Sequence, residues 1–377
     1  MNMNKSLIAL AVAGVCATSA AMAEVSIYGQ ANVSYDVIDN DKGARDSQGV
    51  NSNGSRFGLK GSETLGSGLS AIWQIESQVA IGAGAGGTQN DRSSTAVAQR
   101  DTFAGLKSDI AGTVRLGRFD TPYKLATRSM DVFHNTIADN RSLMGIGHDV
   151  RTSNTVGFNS LDYNGFSVSG SYFGDQGGTS EPGPNFNTFS NPKNRGNSYD
   201  YTNEGVSVAG MYKAGPIDAI AAYQTQSNEI GDGVFGTGAP NRAINSSAWK
   251  VGGSYTTDLF ALSGVYESMR NGGGGGGASA YYLSGKYNMT SEDTLKLAFA
   301  DLSGTTDKAN KSGATQYSLG YDHKMTNHTT LYALYTSLNN DKSAAYQLGG
   351  NSASSSTSAS ALGRDPTAFS VGMKHSF

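Results

Sequence analysis

From Val25 onward the chain alternates between apolar and polar positions. Val25, Ile27, Gly29, Ala31, Val33 and Tyr35 fall on one face of an extended segment, and Ser26, Tyr28, Gln30, Asn32, Ser34 and Asp36 on the other. The same two-residue period returns in Leu69, Ala71, Trp73 and Ile75 against Ser70, Gln74, Glu76 and Gln78. It recurs in Phe166, Val168, Gly170 and Tyr172 against Ser167, Ser169 and Ser171, and in Tyr317, Leu319 and Tyr321 against Gln316, Ser318 and Asp322. Alternation of this kind predicts strands with one apolar and one wet face, a pattern that a soluble sandwich would share.

The number and spacing of the segments narrow the choice. The pattern predicts strands over 25–36, 51–62, 69–82, 96–108, 112–119, 151–161, 166–174, 204–213, 217–227, 246–256, 259–270, 278–289, 294–302, 314–325, 329–339 and 366–377, sixteen in all. Short connections (109–111, 162–165, 214–216, 257–258, 290–293, 326–328) alternate with long ones (37–50, 83–95, 120–150, 175–203, 228–245, 340–365). Tight turns on one rim and long loops on the other define a sixteen-stranded antiparallel transmembrane β-barrel, an all-β fold with both termini on the short-turn, periplasmic side. Closure also removes free strand edges and satisfies the backbone without water.

The first 23 residues change the picture of where the chain goes. Lys5, the apolar stretch Leu7 to Val15 and the small-x-small ending Ala21-Met22-Ala23 form a signal-peptide pattern, so residues 1–23 are expected to be removed and the barrel domain to run over 24–377. The apolar stretch is too short to span a bilayer as a helix. Cys16 is the one cysteine and lies in this leader; Val15 before it does not suit a lipoprotein cleavage. A mature chain without cysteine has no disulfides. The formal charge of −3, or −4 once Lys5 is gone, gives no reason to expect a nucleic-acid partner. With 50 Gly, 19 Tyr, 7 Pro and a mean hydropathy of −0.36, the chain is too polar for a helical membrane protein. It suits a barrel in which only alternate strand residues meet lipid.

The chain ends on Phe369, Val371, Met373, His375 and Phe377, one face with a terminal aromatic residue, which resembles the C-terminal signal of outer-membrane barrels. Further stretches carry a family resemblance: Val25-Ser26-Ile27-Tyr28-Gly29, Ser55-Arg56-Phe57-Gly58-Leu59-Lys60-Gly61-Ser62-Glu63, Phe103-Ala104-Gly105-Leu106-Lys107, Gly112-Thr113-Val114-Arg115-Leu116-Gly117-Arg118 and Asn154-Thr155-Val156-Gly157-Phe158. In this order, and across essentially the whole mature chain, they resemble the trimeric general porins of Gram-negative bacteria, the beta-proteobacterial and neisserial branch above all. The resemblance implies a homotrimer in the outer membrane, among its lipids and lipopolysaccharide. Each subunit would carry one water-filled pore for ions and small hydrophilic solutes, narrowed by an inward-folded constriction loop after strand 5, with no cofactor.

Parity then identifies candidate pore residues. Phe57 and Leu59 on the lipid face send Arg56 and Lys60 inward; Val114 and Leu116 do the same for Arg115, and Val156 and Phe158 for Arg151. The resemblance adds Arg100, where local alternation is less clean. These form an expected basic wall. The connection 120–150, long for a hairpin loop, contains Asp120, Asp131, Asp139 and Asp149 with Lys124, Arg128 and Arg141; folded inward, as the resemblance implies, its acids would face that wall across a transverse field. Other inward lysines outnumber inward acids, so a weak anion preference is expected. Tyr35, Tyr172, Tyr212, Tyr223, Tyr255, Tyr287, Tyr321 and Phe377 fall on the lipid face as girdle aromatics.

Two other readings fit less of the chain. Catalysis needs a histidine beside a hydroxyl or carboxylate, yet His323 and His375 fall on the lipid face, His328 sits by a short turn, and His134 and His148 lie in the inward loop. No G-x-S-x-G or H-E-x-x-H motif occurs, and no spacing demands calcium or another metal. A secreted adhesin would alternate too but would not explain the terminal phenylalanine or the rhythm of connections. Gly272–Gly277 and the serine-rich run Ser352–Ser360 are expected in outer loops, not in a phosphate cradle.

Overall fold

The computed structural model describes residues 24–41, 46–82, 97–174, 201–230, 242–270, 277–303, 312–349 and 362–377. The expected leader, 1–23, lies outside these residues, as do Gly272 to Gly276 and the run from Ser352 to Ser360. The described residues form seventeen antiparallel strands in one closed sheet: β1 Glu24–Asp39, β2 Ser47–Ser52, β3 Arg56–Gly66, β4 Leu69–Gln78, β5 Thr102–Ser108, β6 Gly112–Asp120, β7 Arg151–Asn159, β8 Phe166–Phe173, β9 Tyr201–Ala214, β10 Ile217–Ile230, β11 Arg242–Thr256, β12 Phe260–Arg270, β13 Gly277–Asn288, β14 Asp293–Ser303, β15 Ala314–Lys324, β16 Thr329–Asn340 and β17 Thr367–Ser376. Apart from β2 and β3, which both pair with β1, each strand pairs with its sequence neighbours, and β1 closes the ring on β17 over Gln30↔Ser376 to Asp39↔Thr367.

The expected sixteen staves are all present, and one of them is broken. The segment expected as a single strand over 51–62 is two: β2 pairs with the far half of β1 (Val33↔Ser52 to Ile38↔Ser47) and β3 with its near half (Glu24↔Ser62 to Gln30↔Arg56). Asn53, Gly54 and Ser55 lie between them, and Gly54 sits in the left-handed region at φ +71°. Two expected boundaries also move inward, with β4 ending at Gln78 and β5 beginning at Thr102.

The two faces sort by chemistry. Val25, Ile27, Val114, Leu116, Val168, Leu283, Leu297 and Leu319 are exposed on the outer face, as a barrel in lipid requires. Tyr212 of the expected girdle lies against the Phe166 ring, centroids 4.3 Å apart. No described helix is long and apolar enough to cross a membrane. The last residue completes the seam: Gly29 N donates to Phe377 O at 2.9 Å, and Phe377 N donates to Gly29 O at 3.1 Å. The Phe377 ring lies where a side chain on Gly29 would stand.

Candidate functional site

The long connection after β6 folds into the barrel, and its sequence explains why it stays there. Thr121 caps a short helix, α1 (Pro122–Ala126), its hydroxyl accepting from Lys124 N, with Pro122 at the first helical position. Single tight turns follow at Arg128–Met130 and Asn140–Ser142, the second capped by Asp139, which accepts from Arg141 N at 3.0 Å. Along this loop Tyr123, Met130, Phe133, Ile137 and Leu143 are fully buried. They share one apolar cluster with the inward residues Ala222, Val265, Ala280, Tyr282, Leu302 and Leu334 of strands β10 to β16. Burying a side chain of this size contributes about 1.5–3 kcal/mol. Wall glycines leave the space: a Cβ on Gly252 would stand 2.8 Å from Met130 Sδ, and one on Gly320 2.6 Å from the Phe133 ring.

Polar anchors fix the loop along its length. At its base Tyr123 OH and Gly145 N both donate to Glu267 on β12. Lys250 on β11 pairs with Asp149 at 3.0 Å while lying over the Tyr123 ring. Gln224 and Gln226 on β10 donate to the carbonyls of His148 and Gly147. In the middle Tyr282 OH donates to Asp131 at 2.7 Å, and Ser284 to Met130 O at 2.7 Å. The loop is therefore bolted to β9–β16, leaving the β3–β7 wall opposite.

That opposite wall carries the charged network. Glu76 on β4 pairs with Arg100 Nε at 2.5 Å and Arg56 Nε at 3.6 Å and accepts from Tyr28 OH at 2.9 Å. Arg151 Nε pairs with Asp101 at 2.6 Å and its Nη2 with Asp120 at 3.0 Å; Asp120 in turn holds Lys124 of the loop at 2.9 Å. Lys60 lies 5.3 Å from the centroid of the Tyr28 ring. Three carboxylates, Glu76, Asp101 and Asp120, thus stand among five cations, Arg56, Lys60, Arg100, Arg151 and Lys124. Arg115 stands apart from this network, between the Phe103 and Phe119 rings and bonded to Asn159 at 3.0 Å.

The loop acids take up places that parity did not indicate. Asp131 is buried against β13, accepting from Phe133 N, Asn140 N and Tyr282 OH. Asp139 is enclosed by Arg141 at 2.6 Å and Arg128 at 3.5 Å, and Asp149 by Lys250. Each is engaged on the loop itself or on the loop's supporting wall, so of the four expected acids only Asp120 is set against the arginines, where Glu76 and Asp101 join it. Asp101 escaped sequence reasoning because the approach to β5 does not alternate cleanly; its adjacency to Arg100 was the available signal. Arg128 and Arg141 were visible in the loop but had no parity to orient them.

Enclosure shifts the loop's titrations. Burial lifts the Asp131 carboxyl to about 6, with Asp139 nearby adding to the effect. Burial also pushes the imidazoles of His134 and His148 down to about 3 and about 4, and the Lys124 ammonium down to about 8 against the pull of Asp120.

A closed antiparallel barrel with an apolar outside, a charged inside and a loop packed within it defines an outer-membrane diffusion channel. The chain belongs to the Gram-negative porin family, whose model matches residues 7–343. Outer membrane porin protein 32 of Delftia acidovorans is 26% identical over the full length of both chains. Major outer membrane protein P.IB of Neisseria gonorrhoeae is 30% identical over 56% of this chain and 58% of that protein. Among solved structures, an anion-selective porin from Comamonas acidovorans superposes with a TM-score of 0.70 at 21% identity, covering 94% of this chain and 100% of the other. OmpF of Salmonella typhi, in complex with daunomycin, gives 0.63 at 15% identity, with 94% and 97% covered.

Proposed function

We propose that this outer-membrane porin passes small hydrophilic solutes through a gap between the inward loop and the Arg56–Arg100–Arg151 wall, with a weak preference for anions. The observation that carries the preference is the surplus of cations over the carboxylates Glu76, Asp101 and Asp120 on that wall. Partly buried charges are screened less by salt than those at the rims, so this surplus acts on passing ions. Asp131, Asp139 and Asp149 serve the loop's own structure in this reading. Lys250 and Lys296 add nothing to the surplus, being paired with Asp149 and Asp322.

The working form is a homotrimer with a pore in each subunit, exported by cleavage between Ala23 and Glu24, and the protein performs no catalysis. Support for the trimer, and for a channel without chemistry, comes from the family. No group of three metal-ligating side chains occurs among the described residues. Reversal potentials across a planar bilayer under a potassium chloride gradient test the proposal. A potential of the sign set by chloride is expected, and one set by potassium would refute the anion preference.

A further inference from the structure

We infer that the break in the second stave is a socket that latches the tip of the constriction loop, with Asn32 as its positioning residue. The inference rests on the channel reading above and assigns a cause to the width and charge of its narrow point.

Where β2 stops and β3 begins, Asn53, Gly54 and Ser55 leave the ladder and turn their groups toward Asn32 of β1. Asn53 N donates to Asn32 O at 2.7 Å, and Asn32 N donates to Ser55 Oγ at 2.9 Å, so the gap is filled by one residue's backbone. The Asn32 amide then uses every side-chain hydrogen. Its Nδ2 donates to Asn53 O at 3.1 Å and to Asn135 O at the loop tip at 2.7 Å, while its Oδ1 accepts from Tyr332 OH at 3.0 Å. The Tyr332 hydroxyl is held in turn by Asn53 Nδ2 at 3.1 Å. Asn32 is 2% exposed, so none of these groups has bulk water as a substitute partner.

The loop side is shaped to match. Asn135 has φ +57° and Gly54 φ +71°, left-handed conformations that asparagine and glycine tolerate. A Cβ on Gly54 would stand 3.3 Å from Asn135 Cγ. Asn135 is also the hub of the loop's charges: its Oδ1 accepts from Arg128 and Arg141, both at 3.4 Å, and its N donates to Asp139 at 2.8 Å. Latching Asn135 therefore fixes two arginines as well as the backbone. An unbroken stave would offer Asn135 only a paired, flat ladder.

The test uses the chain from Glu24, refolded, with a heat-modifiable gel band as proof of a closed barrel. Asn32→Leu keeps the volume and removes the amide. It is expected to raise single-channel conductance about 1.5-fold, with more current noise and a smaller reversal potential. Adding Gly54→Cys and Asn135→Cys places two thiols within disulfide reach in a chain with no other cysteine. Oxidation should lower the conductance and noise of this triple variant toward wild type, and reduction should raise them again. A folded Asn32→Leu channel indistinguishable from wild type, a pair that does not cross-link, or a cross-link that leaves the altered conductance in place would each overturn the latch. A wild-type barrel that conducts nothing would instead overturn the channel reading.

Discussion

The buried loop histidines show how a single residue's surroundings set a property of the whole channel. With the loop packed, burial keeps His134 and His148 neutral down to about 3 and about 4, whereas a released loop would take up protons near 6.5. Between those values the released loop binds protons that the packed one does not, so acidification weakens packing. Asp131 acts in the opposite sense, since its raised value of about 6 against an ordinary 3.8 lets the packed loop hold a proton more readily. Replacing the two histidines isolates their part of the response. Current fluctuations should therefore rise more, on going from pH 7 to 4, in the wild-type channel than in His134→Gln with His148→Gln. An unchanged response in the double variant would contradict the assignment. At this scale the sequence was legible where it alternates: Arg56, Lys60, Arg115 and Arg151 follow from their apolar neighbours. It was not legible in the loop, where no period tells Asp131 which wall to face, and its contact with Tyr282 joins residues 151 positions apart.

Among the elements, the inward loop depends most on partners supplied from afar. Its apolar residues have no amphipathic period; their destination is set by wall glycines such as Gly252 and Gly320, which read in isolation as weak strand residues. The base is held by one buried pair, Lys250 with Asp149, next to Glu267. Lys250→Met would leave Asp149 without its cation in a water-poor site and should destabilise the packed loop by about 3 kcal/mol or more. Faster chymotrypsin cleavage within 121–150 of the folded barrel is the expected sign, and wild-type resistance would count against the anchor. The break between β2 and β3 was hidden because Ser55, Phe57 and Leu59 continue an acceptable strand pattern. Only the arrival of Asn135 shows why three residues leave the ladder. Strand boundaries on the short rim were readable to within a few residues, since turns such as Gly165 and Gly215 mark it, whereas β5 begins six residues later than its expected start at 96.

For the molecule as a whole, alternation, an even count of staves and short-long connections sufficed to indicate a closed barrel, because closure is the one arrangement in which every such strand has two partners in lipid. The seam is its last step. Gly29→Val would occupy the position of the Phe377 ring and disturb the paired hydrogen bonds of the final residue. It is expected to lower the yield of heat-modifiable barrel several-fold, whereas normal yield would show that the terminal ring is dispensable. The central claim, a water-filled path narrowed by a packed loop, is tested most directly by the swelling of liposomes containing the refolded protein in neutral sugars of increasing size. Rapid swelling in monosaccharides and a steep fall with size, less steep in Asn32→Leu, are expected. Swelling absent for every sugar, or independent of size up to large oligosaccharides, would contradict it.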